Sequence, residues 1–174
     1  MANVWLINGI PGSGKTSTAR ALAARLPRAA HIEGDRLQDC IISGSVPPGG
    51  LPHEEEERQI HLNVCNQCLL ANSFTREDIT PVIDYVIINP DRVEEYRKQL
   101  PGLVLNLVIL APGIPTALER DIRRPEKTVA QMWSHLDEIM RRELNGVGLW
   151  LDNSTLTIEE TVDYILNHEE ETRI

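Results

Sequence analysis

Gly9, Gly14, Lys15 and Thr16 stand in the pattern G-x-x-x-x-G-K-[ST], written in this chain as GIPGSGKT. Glycines at those places let the backbone curl until successive N–H groups point inward, the arrangement that cradles phosphate oxygens. A helix opening at Lys15 would aim its positive end at the same charge. Lys15 can then reach the β and γ phosphates of a nucleoside triphosphate, and Thr16 can offer its hydroxyl to Mg²⁺. Pro11, Gly12, Ser13 and Ser17 complete the candidate nucleotide-binding stretch. Four fixed positions of this kind recur by chance in roughly 1% or fewer of chains this long.

Two carboxylates are candidates to share that site. Asp35 follows a short apolar run, where an acceptor hydroxyl must lie to be in line with a γ-phosphate held over Lys15. There it could orient the hydroxyl and accept its proton. The same place suits a helix N-cap, and both roles stay open. Arg36 beside it is a candidate substrate-binding residue. Asp84 lies inside the apolar run PVIDYVIIN, where an unpaired carboxylate is costly, so it needs a partner. Mg²⁺ or its water shell is one, as in a Walker B element, with a place in the substrate site beside it; a hydrogen bond across the sheet is the other.

Arg120, Arg123 and Arg124 cluster between Pro115 and Pro125. If this segment closes over a nucleotide, one guanidinium could stack on the base while another neutralises the transferring phosphoryl group, an effect of about 10³–10⁵ in rate. A solvated basic stretch is the plain alternative. His61, Cys65 and Cys68 share a helical face, but a structural zinc site needs four ligands, and C-x-x-C within a helix lacks a redox context. They read as small, partly buried helix residues, and Glu54 to Glu57 as a solvated helix start.

The elements that must position these groups alternate. Apolar runs at Val4 to Asn8, Ala29 to Ile32, Pro81 to Asn89, Leu103 to Leu110 and Leu149 to Leu151 read as five strands. Helical spacing marks Lys15 to Leu26, Arg36 to Ser43, Glu54 to Ser73, Asp91 to Leu100, Thr128 to Leu144 and Ile158 to Asn167. Asp137/Arg141 and Glu138/Arg142 add i,i+4 pairs within the fifth of these. Gly44 to Pro52 holds three Pro and three Gly in nine residues, a loop where a substrate could enter. Alternation of this kind implies a parallel sheet covered on both faces.

The 174 residues correspond to one domain, with 41% hydrophobic and 25% charged residues excluding disorder. A formal net charge of −9 opposes nucleic acid and an anionic membrane surface as partners, and seven aromatic residues offer few platforms for bases. The opening residues lack a basic n-region and a long apolar run, and three cysteines are too few for a secreted disulfide framework, so a cytoplasmic protein is expected. No N-K-x-D guanine motif is present.

GIPGSGKT after VWLIN, then IEGDRL, PVIDYVI, RDIRR and LDNSTLTIEETVDYIL together resemble a small P-loop kinase of the group containing gluconate kinase, shikimate kinase and chloramphenicol phosphotransferase. The resemblance runs over essentially the whole chain. It implies an α/β P-loop NTPase fold with a five-stranded parallel sheet in order 2-3-1-4-5, ATP with Mg²⁺ as donor, and a small lid at about 112–127. By the same resemblance Asp35 meets the acceptor hydroxyl, Arg120 lies at the adenine, Arg124 at the phosphates, and Asn153 and Ser154 border the adenine. A phosphotransferase acting on a small-molecule hydroxyl is therefore expected. A nucleoside or nucleotide kinase shares these motifs, and a nucleotide-binding sensor without acceptor is the reading of another class.

Overall fold

The computed structural model describes residues 2–123 and 129–174. Five strands, β1 (Asn3–Asn8), β2 (Ala29–Glu33), β3 (Thr80–Asp84), β4 (Val104–Leu110) and β5 (Leu149–Leu151), pair in the order β2-β3-β1-β4-β5, all in parallel. This is the expected order. The helices are α1 (Lys15–Arg25), α2 (Gly34–Gln38), α3 (His53–Arg76), α4 (Pro90–Gln99), α5 (Ile114–Ile122), α6 (Ala130–Trp133), α7 (Leu136–Glu143), α8 (Ile158–Asn167) and α9 (Glu169–Thr172).

Successive side chains of a strand point to opposite faces, so the continuous apolar runs of β1 and β4 feed two cores at once. Val4, Leu6, Ile83 and Leu107 join Val64 of α3, Tyr96 of α4 and Met140 of α7 on one face. Trp5, Ile7, Val82 and Val108 join Leu22 of α1 and Ile165 of α8 on the other. Central β1 pairs with β3 on one side and β4 on the other, so the chain reverses its winding at the carboxyl end of β1. Crevices for ligands open at such a reversal.

Several elements depart from the sequence reading, among them α5 and α9, where that reading places no helix. β3 ends at Asp84 rather than Asn89: the Tyr85 N–H still donates to the Ile7 carbonyl at 3.3 Å, but β1 then turns away into the loop after Asn8, where the backbone ladder stops. The Asn8 side chain stands in for it: Nδ2 donates to the Ile87 carbonyl at 2.7 Å, and Oδ1 accepts from the Ile87 N–H at 2.9 Å. Ile87 stays buried, so the apolar pattern outlasts the pairing. The helix expected from Thr128 to Leu144 is broken into α6 and α7, where Ser134 Oγ donates to the Gln131 carbonyl and His135 Nδ1 contacts the Met132 carbonyl. Such side chains compete with the backbone for the helix's own acceptors. Within α7 Arg141 pairs with Asp137 as expected, while Arg142 pairs with Glu143 rather than Glu138. Finally, α2 begins at Gly34, which moves Asp35 inside the helix; its N-cap is Glu33, and the expected N-cap role of Asp35 falls away.

Candidate functional site

Gly9, Gly12 and Gly14 have φ of 146°, 83° and 97°, a region that L side chains rarely adopt. Close approach adds a second constraint. A Cβ on Gly9 would stand 2.6 Å from the Leu110 carbonyl oxygen, and one on Gly12 would collide with the Ala117 carbonyl, so the loop is seated against β4 and α5. The Ser13 N–H donates to the Ile10 carbonyl at 3.1 Å and closes the turn. Gly14 then caps α1 without any side-chain hydrogen bond, and the first turn of α1 carries no acidic residue. The N–H groups at that helix start are left for an anion. Lys15 is buried with Nζ 3.4 Å from the Ile10 carbonyl, Thr16 is half-buried and Ser17 exposed.

On one flank, Arg120 of α5 reaches back over this loop. Its guanidinium donates to the carbonyls of Asn153 at 2.8 Å, Ser154 at 3.3 Å and Ser13 at 3.4 Å. Asn153 Nδ2 also donates to the Ser13 carbonyl, at 3.1 Å. Arg120, Ser13, Asn153 and Ser154 are thus one cluster. Within it Ser13 Oγ and Asn153 Oδ1 are buried and find no hydrogen-bond partner among the described residues. Orphaned buried polar atoms are costly unless a ligand or water meets them, and here they border the loop built for a nucleotide. Arg123 instead pairs with Glu119 on the exposed side of α5. Arg124 lies outside the described residues.

On the other flank, α2 places Asp35 beyond the end of β2. Withdrawal from water raises its carboxyl above the ordinary range; Lys15 opposes that shift, while Asp84, Glu33 and Asp39 add to it. The residue is nonetheless exposed. The same interactions make Lys15, Asp35 and Asp84 electrostatic neighbours. Asp84 closes β3 in register with Ile7 and Glu33, at the carboxyl edge of the sheet rather than inside a longer strand. Its Oδ2 is 2.8 Å from His31 Nε2, which is the cross-sheet hydrogen bond anticipated as one of its two possible partners. Arg36 is exposed and lies 3.6 Å from Glu33, which also pairs with Arg20 at 3.0 Å.

Thr16 and Asp84 offer a hydroxyl and a carboxylate, hard oxygen donors that suit Mg²⁺. No group of three His, Cys, Asp or Glu suited to hold a metal exists among the described residues. His61, Cys65 and Cys68 form no such group: Cys65 faces His61, and Cys68 lies in the core, where burial pushes its thiol up to about 12.

Asn8, Gly34 and a row of amides on α3 escaped the sequence reading. Gln59, Asn63 and Gln67 recur every fourth residue and are buried. Gln59 holds the loop after α2, donating to the Gly44 carbonyl at 2.7 Å and accepting from the Val46 N–H at 2.8 Å. The i, i+4, i+8 repeat beside the apolar stripe of Val64, Cys68 and Ala71 was the available signal.

A family model described as "AAA domain" matches residues 4–143. No curated protein matches the chain in sequence. Among solved structures, a tunicamycin resistance protein of Deinococcus radiodurans is similar at 21% identity and TM-score 0.69, with 99% of this chain and 98% of that one covered. A sugar kinase of Janibacter sp. HTCC2649 superposes with TM-score 0.71 at 16% identity, covering 98% and 95%. A gluconokinase of Sinorhizobium meliloti 1021 gives 0.67 at 19%, covering 95% and 90%. At these identities the likeness is one of fold: the chain has the fold of small P-loop kinases.

Proposed function

The chain belongs to the AAA domain family, and from that premise we propose that it is an ATP-dependent kinase moving the γ-phosphate of MgATP to a hydroxyl of a small molecule. What supports this reading is the phosphate loop, whose helix start has no side-chain cap, together with Asp35 on α2 directly after β2, near enough to Lys15 for their charges to interact. A module that only senses nucleotide has no need of a carboxylate there. The similar structures include a sugar kinase and a gluconokinase, which supports the same class.

In this mechanism the N–H groups of the loop and of the α1 start hold the phosphates, and Lys15 balances charge on the transferring group. Arg120, Ser13, Asn153 and Ser154 border the base. Asp35 orients the acceptor hydroxyl and takes its proton as oxygen attacks the γ-phosphorus and the bond to the β-γ bridging oxygen breaks. Arg36 lies on the acceptor side. Thr16 and Asp84 hold Mg²⁺ or its waters, and the ion, when bound, neutralises phosphate charge. The segment about 112–127 is the lid of this reading, and within it Arg120 reaches the phosphate loop at the Ser13 carbonyl.

The test is ADP release from MgATP across sugar acids, nucleosides and hydroxylated antibiotics, with Lys15→Ala as the blank. Stimulation by one acceptor class, abolished in the blank, is the expected result. Stimulation by nucleosides alone would move the assignment to a nucleoside kinase. ATP binding without stimulation by any of the three classes counts against an acceptor and for a sensor.

A further inference from the structure

α2 has five residues, and its N-cap Glu33 makes no side-chain hydrogen bond to it. One and a half turns without a cap do not hold themselves in water, so the direction of Asp35 must be set by what α2 is tied to. The tie is a chain of buried side chains. Asn63 Nδ2 donates to the Gly34 carbonyl at 2.9 Å. Gln67 Nε2 donates to Asn63 Oδ1 at 2.8 Å, and the Tyr96 hydroxyl, from α4, donates to Gln67 Oε1. Asn63, Gln67 and Tyr96 are each at most 2% exposed.

The chain has a direction. Tyr96 can only donate to Gln67 as a phenol, and burial pushes its ionisation well above the ordinary value, so it remains a donor. With its oxygen so engaged, Gln67 must turn its NH₂ toward Asn63, which in turn must turn its own NH₂ toward Gly34. The carbonyl so held belongs to the Gly34–Asp35 peptide unit, whose plane fixes where the Asp35 side chain departs. Gly34 also lies close against this chain and against Tyr85: a Cβ there would meet the Tyr85 ring at 2.5 Å and Gln67 Nε2 at 2.7 Å.

We propose that Asn63, Gln67 and Tyr96 are positioning residues that hold Asp35 toward the phosphate loop through the Gly34 carbonyl. The inference rests on the kinase reading for its catalytic consequence. Its geometric content concerns α2 alone.

Two variants test it. Tyr96→Phe removes one oxygen and keeps the ring; Asn63→Leu removes the last link at similar volume. The readouts are the Gly34 carbonyl carbon resonance, amide exchange across residues 34–39, and ADP release from MgATP with water in place of the acceptor. In each variant the Gly34 resonance is expected to move and exchange at 34–39 to rise about five- to ten-fold, the measure of one lost hydrogen bond. The kcat for ADP release should fall by up to about 10²-fold with KM for MgATP nearly unchanged, since a small misplacement at the reacting centre is costly while nucleotide binding is not touched. A Gly34 resonance and residue 34–39 exchange unchanged in Tyr96→Phe would overturn the proposal, whatever Asn63→Leu does to folding. Changed resonance and exchange with kcat unchanged would overturn it too, because the tie would then hold α2 without serving Asp35. If no acceptor stimulates the wild-type protein, the kinase reading falls on that evidence, and the resonance and exchange still decide whether the chain orients the peptide of Asp35.

Discussion

Asp35 carries opposite demands from folding and from chemistry. Its carboxyl is raised by loss of water and by Asp84, Glu33 and Asp39, with Lys15 only partly offsetting them. A carboxyl whose folded-state value lies above its unfolded value binds more protons when folded, so stability is full below the unfolded value and declines as pH rises through the folded one. At neutral pH the ionised Asp35 therefore destabilises the protein, and Asp35→Asn should raise the melting temperature there, with the gain vanishing at acid pH. The same substitution removes the proposed base, and transfer should fall by about 10²–10⁴-fold while nucleotide affinity is kept. The wild-type rate should decline as pH falls through the raised value, a limb absent from the residual rate of the variant. Thermal melts and rate profiles over pH check both signs. A melting temperature lowered by Asp35→Asn at neutral pH would contradict the burial argument.

At the scale of elements, Asn8 is the joint between sheet and loop. It holds Ile87 through two hydrogen bonds and accepts a third from the Gly9 N–H at 2.7 Å. Asn8→Ala would strand these buried backbone groups and should cost about 2–4 kcal/mol in urea unfolding; a loss below the range of surface substitutions would show that water replaces the amide. This joint also marks where the sequence stopped being legible. The five alternating strands, the phosphate loop and the helix after it follow from apolar runs and from GIPGSGKT, because burial and backbone curvature leave marks in residue type, whereas the strand order rests on the family resemblance alone. The end of β3 does not, because Ile87 is as buried outside the ladder as within it, and a hydrophobic pattern reports burial rather than pairing. The place of Asp84 at the strand end was hidden by the same cause. The break before α7 and the amide row of α3 depend on which polar side chain finds which carbonyl, a matter of tertiary contact rather than period.

For the molecule as a whole, the helices of both faces leave the carboxyl edge of the sheet to loops, and on that edge the acidic chain gathers its candidate site. No helix among the described residues is long and apolar enough to cross a membrane. A nucleotide held by segments from both halves of the chain should stabilise all of it. MgATP at 100 times its dissociation constant adds about 2.7 kcal/mol, or about 5–11 °C in melting temperature for a chain of this size. Lys15→Ala should lose that shift while keeping the melt of the ligand-free protein close to wild type. Arg120 adds a consequence in time. One guanidinium clasps carbonyls of residues 13, 153 and 154, so the berth proposed for the base is held together by the chain's own contacts. Stopped-flow association should accordingly be a single phase whose rate grows linearly with nucleotide concentration, whereas Arg120→Ala, which must gather the two loops at each encounter, should level off at high concentration.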